Sequence, residues 1–298
     1  MMRRFLIYLA AALLLAAACR PAQEPRVTAR AVPERADDFM FENNLICGRI
    51  YGQALEGNPT SPGIDIWVKL PGALVADDWY AAALEDPAYY HHDHGGKDCY
   101  KVAVSLGGGA SVPFIDGRLC YPATNYRSWE MVEQQPDCLA FRLRYPRWEA
   151  AEGIFVELEK TVTVRADSYF CEVRDLYTFT GTDSLTVAAG IKLHGDQQTV
   201  ESRLEGTDRL AIWEHASDQG VEPEEGMIGV AVVCPSADAA AFFPDLDHGL
   251  LMKKIASGAP FCYLFGSCWS KGDLHTAAEW FAQVRAQVPE TEVDNHKE

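Results

Sequence analysis

Apolar and polar positions alternate along much of this chain. Between Ile154 and Arg165 the even positions are Ile154, Val156, Leu158, Lys160, Val162 and Val164, and the odd ones are mostly charged or hydroxylated. Successive side chains of a strand point to opposite faces, so a period of two predicts a strand with one buried face. Lys160 and Phe155 are the two positions out of phase. Ala166-Asp167-Ser168 reads as a turn and 169–180 as the returning strand of a hairpin. Gly181-Thr182-Asp183 is a second turn, with a strand over 185–193 after it. Further strands are predicted at 44–51, 64–69, 100–105, 118–121, 138–145, 210–215, 226–234, 249–256 and 261–266. One helix is expected, over 274–288. Asp273 can cap it, and Ala277, Phe281, Val284 and Val288 share a face.

Many strands at hairpin spacing, without alternating helices, imply an all-β, mainly antiparallel fold. No linker-like stretch divides the body, so 41–289 is read as a single domain. That length suits a large supersandwich of two packed sheets with one C-terminal helix.

The ends read differently. Arg3 and Arg4 precede an uncharged apolar run from Phe5 to Ala18. It is too short to span a bilayer, and the pattern is that of a secretory signal, 1–18. Leu15-Ala16-Ala17-Ala18-Cys19 resembles a bacterial lipobox, which makes Cys19 the expected lipidation site. The partner there is the membrane, through an N-terminal lipid anchor, and the location is the bacterial cell envelope, periplasmic or surface-exposed. Residues 19–40 are read as the lipidated cysteine and a flexible tether, because 20–38 hold three prolines and few large apolar side chains. Residues 290–298 form a polar tail. Eight further cysteines lie in the body with no C-x-x-C pair, so most are expected as small core residues and one or two bridges are possible.

The net charge of −17 excludes sequence-independent nucleic-acid binding, which needs surplus Lys and Arg. Removing 1–18 takes away two arginines and no acid, so the mature chain is more acidic still.

The densest polar cluster is Tyr89-Tyr90-His91-His92-Asp93-His94-Gly95-Gly96-Lys97-Asp98-Cys99-Tyr100. Histidines in a loop held by a sheet suit proton transfer, and Asp93 can orient an imidazole. A divalent metal at 91–98 is the less favoured use. His92 and His94 would share one face of an extended segment while His91 and Asp93 share the other, so one face offers at most two ligands. No cofactor is expected. Gly107-Gly108-Gly109 lacks the Lys-Ser/Thr of a phosphate loop and is read as a turn where a ligand can approach the backbone. Tyr126, Arg127 and Trp129 pair aromatic rings with a guanidinium, a combination that suits sugars. Lys192 and His194 share one side of a strand, as do Trp213 and His215. Lys192 with His194 would favour an anionic substrate. His248 and His275 look peripheral. There is no G-x-S-x-G, H-E-x-x-H or EF-hand loop.

Arg49-Ile50-Tyr51-Gly52, Gly63-Ile64-Asp65-Ile66-Trp67-Val68-Lys69 and His91-His92-Asp93-His94-Gly95 running to Asp98-Cys99-Tyr100-Lys101-Val102 resemble an uncharacterised family of exported bacterial proteins, a domain-of-unknown-function group associated with polysaccharide utilisation. The strand pattern is similar to the galactose-mutarotase-like supersandwich of sugar epimerases, polysaccharide lyases and some hydrolases. The resemblance implies an oligosaccharide or polysaccharide partner. It does not imply a reaction. The expected function is a lyase or hydrolase on uronic-acid-containing oligosaccharides. Arg127 or Lys192 would neutralise the carboxylate. His91, His92, His94 or His194 would take a proton, and Tyr100 or Tyr126 could return one. Asp93, Tyr126, Arg127, Trp129, Lys192 and Trp213 are the expected substrate contacts. The alternatives are a non-catalytic glycan-binding lipoprotein and a sugar mutarotase or epimerase. An acidic protein acting on acidic sugars needs a local basic patch.

Overall fold

A computed structural model describes residues 24–56, 63–195, 198–217 and 223–287. Residues 1–18, read above as a secretory signal, Cys19 and residues 290–298 lie outside them. The described strands form three antiparallel sheets. The first runs in the order β1 (Val27–Val32), β2 (Asp38–Asn43), β3 (Cys47–Ile50), β4 (Ile64–Lys69) and β5 (Gly96–Asp98). Helix α1 (Ala76–Ala83) lies between the last two in sequence. The remaining strands are β6 (Ser111–Ile115), β7 (Arg118–Leu119), β8 (Ser128–Gln134), β9 (Cys138–Ala151), β10 (Ile154–Arg165), β11 (Phe170–Thr180), β12 (Leu185–Lys192), β13 (Thr199–Glu205), β14 (Arg209–His215), β15 (Met227–Val233), β16 (Ala239–Phe243), β17 (His248–Ile255) and β18 (Pro260–Trp269). Eight of them form a sheet in the order β13-β14-β15-β18-β11-β10-β9-β8, and five form the order β16-β17-β12-β6-β7. Helix α2 (Ala277–Ala286) ends the described chain.

Both five-stranded sheets pack on the eight-stranded one, β2 and β4 against β10 and β18, β12 and β17 against β15 and β14. One core runs through all three, from Phe39 and Ile66 through Phe141 and Val162 to Ile191 and Leu250. The expected two sheets are therefore two layers, one of them split. The split falls where a strand was expected at 100–105. Ala103 has a φ of +50° there, and Ser105 Oγ donates to Val102 O and accepts from Gly107 N–H. A left-handed residue and a closed turn break an extended run. The glycines that follow meet their own chain rather than a ligand. A Cβ on Gly107 would lie 2.1 Å from Ile64 O, and one on Gly109 2.3 Å from the Phe265 side chain.

Three further expectations are corrected. Residues 27–40 are not tether: β1 pairs with β2 along its whole length, and Val27 and Val32 are buried. The prolines misled because Pro33 opens the tight turn between the two strands. Among the described residues there are two α-helices, not one, since α1 covers the outer face of the first sheet with Trp79 and Tyr80. Finally, α2 is capped by Thr276 rather than Asp273. Thr276 Oγ1 accepts from Glu279 N–H, and the Glu279 carboxylate accepts from Thr276 N–H. Trp280 and Phe281 of α2 bury the far face of β14, β15 and β18.

Lys160, out of phase in the sequence, is buried. Its Nζ donates to Asp175 Oδ1 at 2.9 Å and Oδ2 at 2.6 Å. Burial pushes Asp175 up and Lys160 down, against the pair's mutual attraction. No disulfide joins the described cysteines, and Cys47, Cys99, Cys171, Cys234 and Cys268 are buried.

Candidate functional site

The outer face of the first sheet carries charge under a lid of aromatic rings. Alternation sends Phe39, Ile50, Ile64 and Ile66 inward and Asp38, Arg49, Asp65 and Trp67 outward. Arg49 is at the centre. Its Nε donates to Asp65 Oδ2 at 2.8 Å, Nη2 to Asp98 Oδ2 at 2.8 Å and Nη1 to Asp38 Oδ2 at 3.3 Å. Tyr51, Trp67 and Tyr90 rings flank the guanidinium. Tyr51 O–H also donates to Asp65 Oδ2. Burial pushes Asp38 up to about 6, although Arg49 and Arg35 oppose it.

The 89–98 segment runs along the edge of this network. Tyr89–His91 form a tight turn, and the His91 side chain is 46% exposed with Nδ1 3.8 Å from Asp98 Oδ2. Asp98 itself is nearly buried. Asp93 Oδ1 accepts from Gly95 and Gly96 N–H, and its Oδ2 accepts from Lys271 Nζ at 2.7 Å. Partial burial would raise Asp93, but Lys271 and the two amides hold it below the ordinary range. The His94 ring stacks on Tyr89 with centroids 3.9 Å apart, and His92 is exposed. The imidazoles therefore do not converge. No three or more His, Cys, Asp or Glu side chains among the described residues are grouped to hold a metal. Lys97 pairs with Glu225.

A second cluster lies where the 99–107 segment meets β12 and β14. His194 Nδ1 lies 2.8 Å from Glu214 Oε1, and Nε2 lies 2.8 Å from Lys101 O. Tyr100 is buried edge-on to the His194 ring, with its O–H 3.1 Å from Lys192 O and 3.3 Å from Gly107 O. Burial, then Glu214 and Asp65, push the Tyr100 phenol far up. With both ring nitrogens engaged, His194 in this arrangement ties three segments together rather than offering itself as a base. His248 is buried and accepts from Leu106 N–H, so it is part of the scaffold.

Arg49, Tyr51, Asp65, Trp67, His91 and Asp98 of the first cluster lie in the motif segments, whereas His194 and Glu214 of the second do not. The profile of a domain of unknown function, DUF4861, matches residues 15–293. The chain belongs to that family. A relative, the uncharacterized protein P7 of Formosa agariphila, is 33% identical over 215 residues, which is 69% of this chain and 51% of the relative. The chain thus spans about half the length of that curated relative. Among solved structures, a chain described as a kojibiose phosphorylase from human microbiome gives a TM-score of 0.41 at 6% identity, covering 83% of this chain and 32% of the other. A galactose mutarotase related enzyme from Lactobacillus acidophilus gives 0.32 at 11%, covering 78% and 97%. Scores this low transfer no residue role.

Elsewhere in this DUF4861 chain the remaining sequence candidates stand apart. Arg127 is clamped by both oxygens of Glu56, one at 3.1 Å, and lines a groove with Arg144, Tyr145 and Glu159. Tyr126 is buried and donates to Asp37 O at 2.6 Å. Trp129 is 45% exposed on β8 and leans on Phe39. Trp213 is buried under α2, on the opposite face of β14 from Glu214. Sequence reasoning missed Arg49, Asp65, Asp98 and Glu214. The first three lie inside the segments that carry the family resemblance, so the signal was present and unassigned.

Proposed function

We propose that this protein is a saccharide-acting enzyme, of lyase or hydrolase type, whose proton-transfer group is His91. One observation carries the reading: a half-exposed imidazole stands against a nearly buried carboxylate, Asp98, which Arg49 holds in place. A carboxylate beside an imidazole steadies the imidazolium that forms during proton transfer. In an elimination, His91 takes the proton next to the sugar carboxylate, a C=C bond forms as the C–O bond to the leaving sugar breaks, and the departing oxygen takes a proton from water. In a hydrolysis, His91 instead gives its proton to that oxygen while a water molecule adds to the sugar carbon and releases a proton to solvent. The stacked Tyr89–His94 pair offers a flat surface for the C–H face of a ring.

The test is turnover of acidic and neutral oligosaccharides, read as new reducing ends and as the ultraviolet absorbance of an unsaturated product. His91→Gln should lower kcat by about 10²–10⁴-fold while thermal unfolding stays unchanged. Product from no saccharide, or full activity in that variant, would overturn the reading. A non-catalytic glycan-binding role is favoured by one fact, that Tyr100 and His194 have all their polar atoms engaged. Saturable binding without turnover in the native protein would support it.

A further inference from the structure

The cations around the candidate site fall into two classes. Arg49 is held by Asp38, Asp65 and Asp98, Lys97 by Glu225, Lys271 by Asp93, and Arg127 by Glu56. A cation already paired at hydrogen-bond distance must give up that pair to bind an anionic ligand, so it gains little. Lys101 and Lys192 differ: among the described residues, neither side chain makes an ion pair or a hydrogen bond.

The backbone brings these two lysines to one place. Lys101 O accepts from His194 Nε2 at 2.8 Å, and Lys192 O accepts from Tyr100 O–H at 3.1 Å. Lys192 N–H also donates to Gly107 O at 2.9 Å. The Tyr100–His194 contact is thus a bolt between the segment that carries one lysine and the strand that carries the other. Lys192 is half-buried, and burial lowers its ammonium. Asp247 faces it and opposes the shift, while Lys101 adds to it. Such an ammonium is costly to leave unpaired. One residue on from Lys192, Leu193 lines a cavity of about 430 Å³ together with Thr199, Ser202, Phe242 and the carboxylates Glu201 and Asp247. Hydroxyls, carboxylates that accept from sugar hydroxyls, and an aromatic ring are groups that hold a sugar.

We propose that Lys101 and Lys192 form an anion subsite that takes a carboxylate or sulfate-ester group of the saccharide, with the adjacent cavity receiving the ring that bears it. This rests on the saccharide reading above and names its substrate class. Against a net-acidic body, two unpaired ammonium groups select an anionic group as well as bind it.

The test uses the full-length protein and three oligosaccharides of one length: an oligouronate, its carboxyl-reduced neutral counterpart, and a sulfated neutral oligomer. Lys101→Gln and Lys192→Met should each raise KM for the anionic ligand about tenfold, leave kcat unchanged, and leave the neutral ligand unaffected. Response in the uronate arm identifies a carboxylate, and response in the sulfated arm identifies a sulfate. Unchanged KM in both anionic arms, with turnover still abolished by His91→Gln, overturns the subsite and spares the saccharide reading. If the native protein turns over none of the three, the enzyme reading falls, and calorimetry decides the subsite. Anion-dependent binding lost in the double lysine variant supports it, and absence of binding overturns it.

Discussion

Asp38 shows what burial does to a single carboxylate in this protein. It is fully enclosed under α1, shares Arg49 with two other aspartates, and is pushed up to about 6. Between the ordinary carboxylate value and that point, the folded chain binds a proton that the unfolded chain has released. The contribution of Asp38 to stability therefore falls as pH rises through this window. Asp38→Asn cannot ionise, and Arg49 keeps Asp65 and Asp98. The variant should lose up to about 3 kcal/mol of the decline seen in the wild type between about pH 4 and 7. Urea unfolding across that range checks this, and identical slopes would refute it. At the same scale, the spacing of His91, His92 and His94 identified a polar loop but not which imidazole faces a carboxylate. Asp98 became visible as a partner only once the turn at Tyr89–His91 brought His91 back over β5.

Among the elements, the segment joining the two five-stranded sheets matters most to the site. It carries Tyr100 and Lys101, and it is held by Gly107, whose φ of +58° and contact with β4 leave no room for a side chain. Gly107→Ala should destabilise the fold by about 2 kcal/mol or more and reduce turnover, because Gly107 O also anchors β12 through Lys192 N–H. Denaturant unfolding measures the first effect, and native stability in the variant would contradict it. Strands such as β10, β11 and β14 were legible because period-two alternation is a local property. The segment 100–105 was misread for the same reason: its composition fits a strand, but it has no neighbouring strand to pair with. The α1 segment was missed because the surface that buries Trp79 comes from other strands, and β1 because the prolines around it, one of them in the turn to β2, made it read as tether.

At the scale of the whole molecule, the charge of −17 sits on a body whose site cations are nearly all neutralised locally. The basic patch demanded by an anionic substrate was sought at Arg127, Lys192 and the histidines; Glu56 occupies Arg127, and Lys192 remains, with Lys101 beside it, as the proposed subsite. The N-terminal sequence adds a prediction of its own. A Cys19→Ala variant expressed in a bacterial host should move from the membrane fraction to the soluble one, and retention with membranes would argue against a lipid anchor.

Alternation and turn residues, read from the sequence alone, determined an all-β body with a C-terminal helix, and three motif segments pointed to the family. Only the tertiary structure decided how one layer divides into two sheets and which charges are already paired. The physical reason is range. Alternation is set by neighbours along the chain, whereas a hydrogen bond or ion pair depends on distance in space. Arg49 meets Asp98 across 49 residues and His194 meets the carbonyl of Lys101 across 93, and no local pattern announces either.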